Sequence, residues 1–131
     1  MGLERDYLMR QLMMLFEVIQ KILRYRQKGE KKPALDQIKY FYECLEIDEP
    51  VHKKGIKELM DYLVSERKLT NEHIEMVAFV LKEQGELEED NDHKLDFFRK
   101  AYFLLDKVDR ESITFSMDRQ MKLAELRTYL N

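Results

Sequence analysis

From Leu3 to Lys28 the chain runs without a glycine or a proline, and its apolar residues return every three or four positions. No other feature restricts the fold as tightly. A strand alternates with a period of two, so an uninterrupted segment of this length and spacing reads as helix, over about residues 4–28. Leu8, Leu12, Leu15, Phe16, Ile19, Ile22 and Leu23 fill one broad face. Tyr7, Met14, Val18 and Tyr25 widen it on one side, and Met9 and Met13 widen it on the other. The apolar arc covers roughly 200°, against the ~100° that a one-sided surface helix needs. Such a helix is expected to pack against more than one neighbour, and Met9, Met13 and Phe16 are its candidate partner interface. Methionine suits adaptable contact surfaces because its flexible thioether repacks readily.

The same period continues along the chain. Gly29 is placed as a C-cap glycine, and Pro33 falls in the first turn of a second helix that carries Leu35, Ile38, Phe41, Tyr42 and Leu45 and stops near Asp48. "DEPVHKKG", residues 48–55, is a loop punctuated by Pro50 and Gly55. A third helix follows over about 56–67, with Ile56, Leu59, Met60 and Leu63 inward. Thr70 or Asn71 caps a fourth, running to Gly85 with Ile74, Val77, Ala78 and Leu81 inward. A fifth, about 91–108, presents Leu95, Phe98, Ala101, Tyr102 and Leu105, with Lys100 on its exposed side. Ser112 or Ser116 opens a last helix that reaches the C-terminus through Met117, Met121, Ala124 and Leu130. The expectation is an all-α, antiparallel array of six helices in a single domain, 1–131, because 131 residues is the length of one domain.

Acidic residues outnumber basic ones by 26 to 23, so net charge supplies no general attraction to nucleic acid or anionic lipid. Cys44 is the one cysteine, which leaves no partner for an intramolecular disulfide and no thiolate cluster for a metal. No apolar run approaches membrane-spanning length, no secretory leader opens the chain, and "MGLERD" lacks the hydroxyl residue of a myristoylation signal. The sequence reads as a cytoplasmic, reducing-compartment protein without a membrane partner.

Several constellations bear on chemistry. Arg24, Arg26, Lys28, Lys31 and Lys32 crowd the first helix–helix junction and are candidate anion contacts. One glycine among lysines does not make a phosphate loop, which needs more glycines and a preceding strand. Basic residues at a helix C-terminus also complement its dipole, so a solvated helical bend accounts for the cluster. His52, His73 and His93 stand about 20 residues apart, without the ligand spacing of a zinc site. Glu86, Glu88, Glu89, Asp90 and Asp92 lack the glycine and the terminal glutamate of a calcium loop and read as a solvated acidic turn. No serine sits in a nucleophile elbow, and Cys44 lies on an apolar helical stretch where inert, buried thiols are common. No catalytic residue, cofactor or metal is expected.

Three of the four alanines fall where paired helices need a small side chain: Ala34 after Gly29, Ala78 before Gly85, and Ala101 after Phe98. Together with Tyr25, Ile38 and Phe41 in the first segment, and Val77 and Leu81 in the second, this arrangement resembles the tetratricopeptide repeat. The match departs from the repeat in a longer loop after Gly85 and in Lys94, which stands at a small-residue position. "RDYLMRQLMMLFEVIQKIL" and "TFSMDRQMKLAELRTYL" also resemble a bacterial family of small all-helical proteins without an assigned activity. The repeat resemblance implies α-α hairpins and a non-enzymatic interaction module that binds another protein or a second copy of itself, as a homodimer for example. The alternative is a nucleic-acid-associated regulatory protein using the basic cluster at residues 24–32, for which steep salt dependence is the signature.

Overall fold

The computed structural model describes the backbone of residues 2–131 and the side chains from Arg5 onward. It is all-helical: 81% of the chain lies in helices, and no strand occurs among the described residues. The six α-helices are α1 (Gly2–Gln27), α2 (Lys31–Cys44), α3 (Ile56–Met60), α4 (Asn71–Leu87), α5 (Asn91–Glu111) and α6 (Met117–Leu130). A single 3₁₀ turn, Val51–Lys53, precedes α3, and α3 runs on into a π-helical segment, Asp61–Glu66. Internal contacts divide the chain into two compact units, the first ending at Asp48 and the second covering Glu49–Asn131.

The first unit is the α1–α2 hairpin. Gly29 ends α1 with φ +76, a left-handed conformation that costs glycine nothing. Glu30 N donates to the Tyr25 carbonyl and Gly29 N to the Arg26 carbonyl, the paired bonds of a Schellman motif. The same pair of bonds closes α2, from Ile47 N to Tyr42 O and from Glu46 N to Glu43 O. Here Glu46 holds the left-handed position, at φ 56. That turn stops α2 at Cys44, short of the end near Asp48 read from the sequence. Leu15, Ile19 and Ile22 of α1 are buried together with Val18, as are Ala34, Ile38 and Phe41 of α2 and Leu45 just beyond it. Leu35, expected inside, is exposed.

The second unit is built on α4 packed against α5, with α6 folded back on α5. α4, α5 and α6 each have a side-chain cap: Thr70 accepts from His73 N, Asp90 from His93 N, and Ser116 from Arg119 N. Ile74, Val77, Ala78 and Leu81 are buried on α4, and Phe98, Ala101 and Leu105 on α5. α4 continues two residues past Gly85, to Leu87. Gly85 therefore does not end the helix; it makes room for Phe98. A Cβ built on Gly85 would lie 2.5 Å from the ring, and on another side Tyr129 stacks against the same ring at 4.5 Å between centroids. Lys94, the odd residue of the repeat-like pattern, donates to the Gly85 and Glu86 carbonyls at 2.6 and 3.3 Å and so satisfies the last turn of α4.

One expectation is corrected here, the exposure of Lys100. Met117, Met121 and Ala124 face out of α6, whose buried residues are Arg119, Leu123 and Leu126. Lys100 is buried, and its ammonium reaches Asp96 at 2.7 Å and the His52 carbonyl at 2.9 Å. Both follow from the apolar phase of the helix. Lys100 shares a face with Phe97, Ala101 and Leu104, and Arg119 shares one with Leu123 and Leu126, at spacings of three and four.

Candidate functional site

Met9, Met13 and Phe16 follow one another at i, i+4 and i+7 along α1 and form a continuous stripe. They are 53%, 63% and 48% exposed. At ~100° per residue, this stripe points roughly 140° away from the buried face of Leu15, Val18, Ile19 and Ile22. Phe16 therefore leaves the core face on which its spacing with Leu12 and Ile19 placed it. The hairpin takes its core from the Leu15–Ile22 side, and α1 keeps a second apolar face directed outward.

Another surface of α1 meets the end of α2. Tyr7, Arg10, Gln11, Met14 and Cys44 line an open groove of about 460 Å³. Cys44 is half-buried at its edge, and so is not the sealed thiol expected from its apolar segment. Contact with Cys44 pushes the Tyr40 phenol above its ordinary range.

Arg24 and Arg26 come out in the last turn of α1, Lys28 just beyond it, and Lys31 and Lys32 in the first turn of α2. Arg24, Lys28, Lys31 and Lys32 are exposed and Arg26 is half-buried. Lys32 pairs with Asp36 at 3.4 Å, one turn along α2, while Arg26 and Lys31 are each engaged within the chain. The fold holds this cluster as the solvated end of a hairpin, with part of its charge already matched.

In the second unit the tertiary structure gathers residues that are distant in sequence. His52 and His93 line one groove of about 400 Å³ with Lys53, Glu88, Asp96 and Phe97. His93 Nδ1 lies 3.5 Å from Asp90 and 4.0 Å from Glu88. Among the described residues, no group of three or more His, Cys, Asp or Glu side chains has the geometry to hold a metal ion. The acidic run is more structural than a solvated turn: Asp90 caps α5, and Glu86 accepts from Lys82 and from Tyr129. Burial first, then the Glu86 charge, raises the Tyr129 phenol to about 12. His73 lies apart, at the start of α4, with Nδ1 2.7 Å from Thr70 Oγ1; burial lowers its pKa.

Arg119 was not singled out in the sequence. Only 4% exposed, it donates to Asp109 at 3.0 Å, to Glu75 at 3.2 Å and to the Thr114 carbonyl at 2.9 Å. One guanidinium thus ties α4, α5 and the α5–α6 loop to α6. The Arg119 and Gln120 hydrogen bonds hold the Asp109 carboxyl below its ordinary range, whereas burial outweighs Arg119 at Glu75 and raises it. The signal for Arg119 in the sequence was its place in the period of Leu123 and Leu126. With all three guanidinium nitrogens engaged, Arg119 acts as a structural clamp. In the α5–α6 loop and on the outer side of α6, Ile113, Phe115, Met117 and Met121 are between 63% and 100% exposed.

No helix among the described residues is long and apolar enough to cross a membrane. No family model, curated protein or solved structure matches the chain.

Proposed function

We propose that this chain is a non-catalytic helical interaction module that docks on another protein, a second copy of itself included, through the outward face of α1. One observation carries the reading: Met9, Met13 and Phe16 form an unbroken apolar stripe on the side of α1 opposite its core. Surface methionines and an aromatic at helical spacing are the anchors by which a helix docks into a partner's groove or against a partner helix. The tetratricopeptide resemblance of the hairpins points to the same class of role. In this reading the buried lysines and Arg119 of the second unit brace a scaffold.

The test uses the whole chain as bait in its native extract, beside a Met9→Glu, Met13→Glu variant. Both side chains are exposed, so the variant is expected to keep the wild-type circular dichroism spectrum and melting temperature. A protein retained by the wild type and released by the variant supports the proposal. The same set of proteins retained by both, or none retained by a bait that is itself monomeric, overturns it.

A further inference from the structure

The charges beside the α1 stripe name its partner. Asp6, Arg10, Glu17 and Lys21 are all exposed. At ~100° per residue they lie along a single flank of the Met9–Met13–Phe16 stripe, roughly 50–110° from its centre. In chain order they alternate: negative, positive, negative, positive. The pattern reverses sign about the point between Met13 and Met14, because Asp6 and Lys21 are equally far from that point, as are Arg10 and Glu17. That point lies beside Met13, the middle residue of the stripe. Arg10 Nε donates to the Asp6 backbone carbonyl at 3.4 Å, which leaves the Asp6 carboxylate outside that bond.

We infer that the occupant of this face is a second copy of the chain, its α1 laid antiparallel across the first about a two-fold axis near Met13. The inference rests on the interaction-module reading above and gives that face its partner. A two-fold axis perpendicular to two antiparallel helices sets each flank against the same flank of the other copy. Asp6 then faces Lys21 of the second copy and Arg10 faces Glu17, so four ion pairs of the right sign border the apolar seam. The charged stretch from Asp6 to Lys21 spans about 22 Å along the axis. A parallel pair would instead set the charged flank against the opposite one, where Leu12 and Leu23 are half-buried and Ile19 is buried toward the hairpin core. Charge complementarity therefore selects both the partner and its direction.

The experiment measures molar mass by light scattering from low to high micromolar concentration, at low and at moderate salt. Wild-type protein is expected to be a dimer that Met9→Glu with Met13→Glu converts to monomer. Arg10→Glu alone and Glu17→Arg alone each set like charges together twice, and each is expected to weaken the dimer roughly tenfold. A one-to-one mixture of these two variants restores every pairing across the seam and should recover wild-type affinity. Melting curves confirm that each variant is folded. If either is not, Asp6→Lys mixed with Lys21→Asp reads the same geometry at the outer pair. A wild-type chain that stays monomeric at high micromolar concentration overturns the inference, while the bait experiment still decides whether α1 binds a different protein. A dimer that survives the methionine variant overturns it too, as does a variant mixture no tighter than its components.

Discussion

Gly85→Ala is the most direct probe of how closely α4 and α5 pack, because two effects of known size oppose each other there. Inside an exposed helix, replacing glycine by alanine stabilises by about 1 kcal/mol, since alanine loses less backbone entropy on folding. At Gly85 the new methyl would stand 2.5, 2.7 and 3.1 Å from three carbons of the Phe98 ring, well inside van der Waals contact. A flexible side chain could swing aside at little cost. Phe98 is only 1% exposed and stacks on Tyr129 at 4.5 Å and 12°, so the ring has nowhere to go without separating α5 or α6 from their neighbours. Overpacking a filled core costs about 1–3 kcal/mol, and a ring held in this way belongs in the upper part of that range. The net expectation is a destabilisation of about 1–2 kcal/mol. With an unfolding entropy of about 0.28 kcal/mol/K for 131 residues, this lowers Tm by about 4–7 °C. A double-mutant cycle with Phe98→Leu isolates the clash. Once the ring is gone, Gly85→Ala should be neutral or stabilising, with a coupling of about 1–3 kcal/mol between the two sites. The reasoning is refuted if Gly85→Ala raises Tm in the wild-type background, or if its effect is the same with leucine at position 98.

Arg119→Ala removes the counter-charge from Glu75 and Asp109 together and should cost about 2–4 kcal/mol in chemical denaturation. Arg119→Lys should recover less than half of this, because one ammonium cannot reproduce the guanidinium fork; equal stability of the lysine variant and wild type would contradict the clamp. Lys100→Ala should cost about 1–3 kcal/mol and speed proteolysis near Val51–Lys53, whose His52 carbonyl Lys100 holds; a neutral effect would show that bond to be idle. His73 supplies a pH dependence. Thr70 Oγ1 accepts the His73 backbone N–H and can give its own proton to Nδ1, so the folded state favours the neutral ring, as burial also does. The folded pKa is lowered, hence the unfolded chain takes up the proton first, and stability should fall as pH drops below 6.5 toward the folded value. Melting temperatures measured across that window should fall less steeply in His73→Gln; parallel curves would assign the dependence to other groups.

The sequence by itself determined that the chain is all helix, and where most of its helices begin. Those facts follow from local rules: apolar residues at a period of 3.6, a glycine that accepts a positive φ after α1, a proline in the first turn of α2, and Thr70 and Ser116 at N-caps. Even the inward phase of α4 was legible, because Ile74, Val77, Ala78 and Leu81 all proved buried. Helix ends were less legible where a residue pays a conformational cost, as Glu46 does at φ 56 in closing α2 early. The apolar period also misled where two apolar faces share one helix. On α1 it could not say whether Phe16 joins Leu15 in the core or Met13 outside, and on α6 Met117 and Met121 compete with Leu123 and Leu126 for the inner face. Only the packing of one helix on another settled these cases, since burial depends on which face a neighbour covers and the local period records only that a face is apolar. The same holds for charge. Lys100 reads in the sequence as a surface residue, and Arg119 carries no reading there; partners more than ten positions away, the His52 carbonyl for the first and Glu75 for the second, make their burial possible. Such pairings arise from the meeting of helices and leave no mark in the spacing of any single one.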